Sequence, residues 1–142
     1  MAGSQYISSD YPTSGALDQG IAPGTTVTAV PIHLSSGVVS NTAALVTMPA
    51  VAGRTNYVTG IEIMGAGATA AALVVATLTG TRGGTQSYLF SATADVNNER
   101  SIRQEFTKPI PASAPGTAVT LALPALGVGN TGAIVAIHGY VI

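Results

Sequence analysis

From Thr25 onward, short apolar and Thr-rich runs alternate with Gly, Pro and Asn. That punctuation constrains the fold more than any other feature of the chain. Gly, Pro, Thr and Val are poor helix formers, and they recur too often for most runs to complete three helical turns. Short β-branched and apolar runs between turn residues are the pattern of a strand sandwich or barrel. The sequence therefore predicts an all-β fold with at most one short helix.

About eight runs can be read, at 26–34, 43–48, 56–64, 71–79, 86–92, 101–107, 118–123 and 132–142. Pro31 marks the first as an edge strand or a bulge, because proline cannot donate to a ladder. In the third, Tyr57, Thr59, Ile61 and Ile63 alternate with Val58, Gly60, Glu62 and Met64, and Glu62 marks the wet face. Thr81-Arg82-Gly83-Gly84 predicts a hairpin joining the fourth and fifth runs. The sixth alternates Ile102, Gln104 and Phe106 with Arg103, Glu105 and Thr107. The seventh sets Val119, Leu121 and Leu123 against the small residues Ala118, Thr120 and Ala122, which suit close packing on another sheet or subunit. Both faces of the eighth are apolar enough to be covered. Eight strands of this length predict an antiparallel two-sheet sandwich of jelly-roll type, in which two Greek keys wrap one core. An immunoglobulin-like sandwich is the nearest competitor, but this chain has neither Cys nor Trp, the hallmarks of that fold. Strand order is left open.

Charge narrows the functional classes. Five Lys and Arg and six Asp and Glu make up 8% of the 142 residues, with a net charge of -1. Ordinary globular chains carry roughly 25%, and surface charge keeps free molecules apart. Much of this surface is therefore expected to be covered by other protein, as in a component of an assembly. The few charges concentrate between Asp95 and Lys108. Nucleic-acid binding draws on clustered Lys and Arg and is not expected. The longest purely apolar stretch, 70–76, is far below the roughly 20 residues of a membrane-spanning helix. No membrane partner is expected. Met-Ala-Gly-Ser-Gln-Tyr-Ile lacks the basic start and apolar core of a secretory signal, so export by that route is not expected either. Without cysteine, disulfides and thiolate metal sites are ruled out.

Residues 1–24 read as an extended arm ahead of a single sandwich domain over 25–142. The arm is rich in Ser, Gly, Ala and Asp and spaces Tyr6, Ile7, Tyr11, Leu17 and Ile21 irregularly. Fully extended it reaches roughly 80 Å at about 3.3–3.6 Å per residue, far enough to cross onto a neighbouring subunit. These five residues are candidate assembly contacts, together with Arg100 and Arg103. The arginines have a simpler role available in surface pairs with Glu99 and Glu105, worth about 0–1 kcal/mol each.

No catalytic constellation is present. His33 and His138 are the two histidines, and neither lies in a nucleophile elbow or a metalloprotease motif. Both read as structural side chains packed or hydrogen-bonded in strands, with interface titration of His138 as the alternative. Asp95-Val-Asn-Asn-Glu99 spaces oxygen-bearing side chains but lacks the glycine and distant Glu of a calcium loop. Gly65-Ala-Gly67, Gly83-Gly84 and Gly127-Val-Gly129 read as turns. The expectation is a protein that is not an enzyme, with no cofactor and no metal.

The stretch 51–142 contains Ala52-Gly53-Arg54-Thr55-Asn56-Tyr57-Val58-Thr59-Gly60, Gly65-Ala-Gly-Ala-Thr-Ala70, Thr77-Leu-Thr-Gly80 and Pro109-Ile-Pro-Ala-Ser-Ala-Pro115. In these motifs it resembles bacteriophage capsid decoration, or cement, proteins. The resemblance implies a compact β fold that binds the outside of a phage head as a homo-oligomer, a trimer in many such proteins, and reinforces contacts between major capsid protein subunits. It implies a virion protein on the capsid exterior, made in the host cytoplasm, and transfers no individual functional residue. The alternative is a tail-fibre or receptor-binding sandwich that recognises a host surface component through loops at one end. A small hydrolase and a major coat subunit rank below both.

Overall fold

A computed structural model describes residues 28–68, 72–95 and 97–142. The predicted arm, with Tyr6, Ile7, Tyr11, Leu17 and Ile21, lies outside these described residues. Among them, eight strands follow in chain order: β1 (Val30–Ser35), β2 (Ala44–Met48), β3 (Asn56–Ala66), β4 (Ala72–Thr79), β5 (Gln86–Ala92), β6 (Arg100–Pro111), β7 (Val119–Leu123) and β8 (Gly132–Val141). Each falls on one of the expected runs, and no helix is present among the described residues.

The strands form two four-stranded antiparallel sheets, ordered β1-β8-β3-β6 and β2-β7-β4-β5. The pairs β1·β8, β2·β7, β3·β6 and β4·β5 nest one inside the next. That is the order of a jelly roll, in which a long antiparallel ribbon folds over on itself so that alternate ribbon segments build opposite sheets. Between the sheets lies one core, with Met48, Val58, Ile61, Ile63, Leu78, Phe90, Leu121, Leu123, Val135 and Ile137 all at or near zero exposure. Phe90 is the largest of these side chains, and Gly65 makes room for it and for Leu126.

The prolines sit where a missing N–H costs least. Pro31 lies on β1 and Pro109 and Pro111 lie on β6, the two edges of the first sheet. An edge strand has a row of N–H groups without ladder partners, so proline is tolerated there. This is why β6 continues past the predicted 101–107. The β4–β5 hairpin forms as expected around Thr81–Gly84, with Gly84 at φ 82° and its N–H donating to the Thr81 carbonyl.

The simple alternation expected of β3 breaks. Between Val58 and Gly60 the register shifts against both neighbours: β8 advances one residue, from Gly139 to His138, so Thr59 is the extra residue of a bulge on that side, whereas on the other side the slack is in β6, which passes from Ile110 to Glu105. A bulge reverses which face successive residues address. Val58 therefore joins the main core, while Tyr57 turns outward and stacks on Tyr140 at 5.0 Å between ring centroids. Alternation alone had grouped Tyr57 with Ile61 and Ile63.

Buried asparagines tie the loops together. Asn56 donates from Nδ2 to the carbonyls of Pro49 and Thr117 at 2.9 and 3.1 Å. Asn130 likewise donates to Ala66 and Gly132 at 2.7 and 3.2 Å.

Candidate functional site: an uncharged sheet face and a polar row

The outer face of the β2-β7-β4-β5 sheet is built in lateral rows. Thr47, Thr120 and Thr79 form one row; Leu45, Ala122, Thr77 and Ser87 form the next; Val75 pairs with Leu89, and Leu73 with Ser91. None of these four strands contains a charged residue. Four large aliphatic side chains stand out from the face, Leu45 at 57% exposure, Leu73 at 69%, Val75 at 42% and Leu89 at 64%. Between them lie methyl and hydroxyl groups, with Thr47 and Thr120 sharing a hydroxyl hydrogen bond of 2.8 Å. Single exposed apolar residues are ordinary, but here four large ones share one sheet face that has no charged residue. The small outer residues expected of β7 sit at its centre.

The outer face of the other sheet is different in kind. His33 on β1, His138 on β8, Glu62 on β3 and Arg103 on β6 form a polar row that crosses all four strands. His33 and His138 are direct register partners, with their Nδ1 atoms 3.1 Å apart. Glu62 Oε1 lies 3.6 Å from His138 Nε2 and 3.4 Å from an Arg103 guanidinium nitrogen. Arg103 also pairs with Glu105 at 3.2 Å. With Arg103 69% exposed, these pairs are worth about 0–1 kcal/mol each and chiefly orient Glu62. Arg100 is exposed and makes no ion pair with a described residue. The expected pairing thus forms for Arg103, and a different carboxylate, Glu62, is added to it. The two arginines lie on the polar sheet and its edge, away from the uncharged face.

The Asp95 loop uses its oxygens internally. Asp95 Oδ1 accepts from the Asn97 N–H at 2.8 Å, and Thr93 Oγ1 donates to the Asn98 carbonyl at 2.7 Å. This is turn chemistry of the Asx type. Among the described residues, no group of three His, Cys, Asp or Glu side chains is arranged to hold a metal ion. A shallow groove of about 330 Å³ lies near one end of the first sheet, lined by Val38, Met64, Ile134, Asn97 and Glu99 among others. Its lining contains no histidine. Neither imidazole is hydrogen-bonded to a hydroxyl among the described residues.

Sequence reading missed two features. The uncharged runs were visible, but nothing local says that these four runs share one sheet. Each histidine was also placed correctly in a strand, yet their pairing across 105 positions depends on β1 meeting β8.

Fold and surface together define a jelly-roll β-sandwich with one polar outer face and one uncharged outer face. No protein-family model matches the chain, and no curated protein sequence matches it. A solved structure with a similar portion is an uncharacterized protein from Listeria monocytogenes, crystallised with α-D-glucose, β-D-glucose, magnesium and calcium. It is 14% identical with a TM-score of 0.33, and the match covers 77% of this chain but 9% of that one.

Proposed function

We propose that this protein is a virion structural component, a capsid decoration protein that binds the outer surface of a phage head as an oligomer and stabilises the shell. The observation that carries this reading is the uncharged outer face of the β2-β7-β4-β5 sheet, with Leu45, Leu73, Val75 and Leu89 projecting from it. Such a face loses little by leaving water, since it has no ions to desolvate. Covering each aliphatic side chain contributes on the order of 1 kcal/mol at roughly 25 cal/mol per Å². Modest binding per copy suffices when an oligomer bridges several shell subunits, because release then requires several contacts to break together. The low charge of the whole chain and its resemblance to decoration proteins point the same way.

The test has two parts. Quantitative mass spectrometry of purified particles from the source is expected to find many copies in a simple ratio to the major coat protein. A handful of copies would move the chain to a tail or fibre, and none would end the structural reading. Leu73→Lys and Leu89→Lys, both on exposed positions, are expected to change stability by no more than about 0.5 kcal/mol yet to abolish decoration of undecorated shells. Normal decoration by both variants would show that this face is not the attachment surface.

A further inference from the structure

We infer that His33 and His138 form a binding site for one divalent transition-metal ion of the imidazole-preferring kind, held by their two Nδ1 atoms. The chain has two histidines and no cysteine, and the fold sets both histidines opposite each other on the outer face of the β1·β8 pair. Their Nδ1 atoms are 3.1 Å apart. An ion at a typical distance of about 2.0–2.1 Å from each nitrogen would see them at an angle of roughly 95–100°, between octahedral and tetrahedral values.

Glu62 supplies the second half of the argument. His138 Nε2 is buried and makes no hydrogen bond within ordinary limits, with Glu62 Oε1 3.6 Å away. Metal-bound histidines characteristically direct their other ring N–H to a carboxylate, which sets the tautomer and raises the basicity of the ligating nitrogen. With Nε2–H aimed at Glu62, the Nδ1 lone pair of His138 faces His33. Without an ion, that lone pair accepts a hydrogen bond from His33 Nδ1–H. With an ion, His33 shifts to its Nε2–H tautomer and both Nδ1 lone pairs become ligands. Glu62 is a positioning residue here, and Arg103 pairs with the same carboxylate oxygen at 3.4 Å.

His33 is exposed, so the remaining coordination positions open to water. Two imidazoles and water favour Cu²⁺, Ni²⁺ or Zn²⁺ over the oxygen-seeking Mg²⁺ and Ca²⁺, with Cu²⁺ bound most tightly. The ion would clamp β1, an edge strand held laterally by β8 alone, and so fasten the strand that leads in from the N-terminal segment. This site is independent of the attachment face proposed above.

Titration of the full chain with Cu²⁺ near neutral pH, followed by electron paramagnetic resonance and thermal denaturation, tests the assignment. One ion per chain is expected, with hyperfine coupling to two imidazole nitrogens and a raised melting midpoint, since a ligand that binds only the folded state stabilises it. His33→Ala and His138→Ala should each abolish both effects. Glu62→Gln should keep the two-nitrogen spectrum while weakening binding by about tenfold or more. Circular dichroism checks that the variants fold, and His33→Ala, on an exposed edge position, decides the matter if His138→Ala does not. Absence of binding, coupling to fewer than two imidazoles, or a His33→Ala variant that titrates like the wild type would overturn the assignment.

Discussion

Tyr140 projects from the outer side of β8, yet it is 2% exposed and its ring stacks on Tyr57 with 12° between the planes. Burial, and secondarily the neighbouring Tyr57 phenol, push its pKa from 10.0 up to about 12. The folded state therefore keeps this proton over a range in which the unfolded chain has lost it. The associated stability is fully present below pH 10 and is lost as pH rises from there toward 12. Chemical denaturation of the wild type should show a midpoint falling across that interval, and Tyr140→Phe, which has no phenol to ionise, should fall less steeply. Superimposable curves would mean that Tyr140 ionises as freely in the folded state as in the unfolded one. Tyr140 was legible in the sequence as a covered residue of the last strand. Its partner was not, because the Thr59 bulge that turns Tyr57 outward leaves no mark in an otherwise regular alternation.

The pairing of β3 with β8 at the centre of the first sheet depends on Gly139. Val58 and Gly139 are register partners beside the bulge, and a Cβ on Gly139 would lie 1.9 Å from the Tyr57 carbonyl oxygen. A backbone atom cannot rotate away as a side chain can. Gly139→Ala should therefore push the two strands apart and destabilise the protein by about 1–3 kcal/mol or more, as overpacking does, measured by urea denaturation. A loss within experimental error would show that the bulge yields to the added methyl group. Strand identity was the most legible level of all, since Gly, Pro and Asn bracket each run. Strand length was less so, because β6 runs through two prolines that only an edge position tolerates.

At the scale of the whole molecule, charge is segregated by sheet. Glu62, Arg100, Arg103, Glu105 and Lys108 all belong to β3 and β6, while β2, β4, β5 and β7 have no charged residue. One outer face carries ions and the other carries none. All eight strands of the described residues lie after residue 24, with the β1·β8 pairing beginning at Val30. Deleting residues 1–24 should therefore leave a folded sandwich by circular dichroism while weakening oligomer formation or attachment to shells in a sedimentation assay. A truncated protein that decorates shells as the full chain does would remove the arm from the mechanism.

The sequence by itself determined that the chain is all-β, where its eight strands fall and which residues in most of them face inward. Those properties follow from propensity and period-two patterning, which act between near neighbours. Only the tertiary structure decided that the four uncharged runs lie side by side, that His33 meets His138 with Glu62 beside them, and that Thr59 reverses the faces of β3. Each of these depends on which strands pair and in what register, and pairing is set by the closure of the whole core rather than by any local signal.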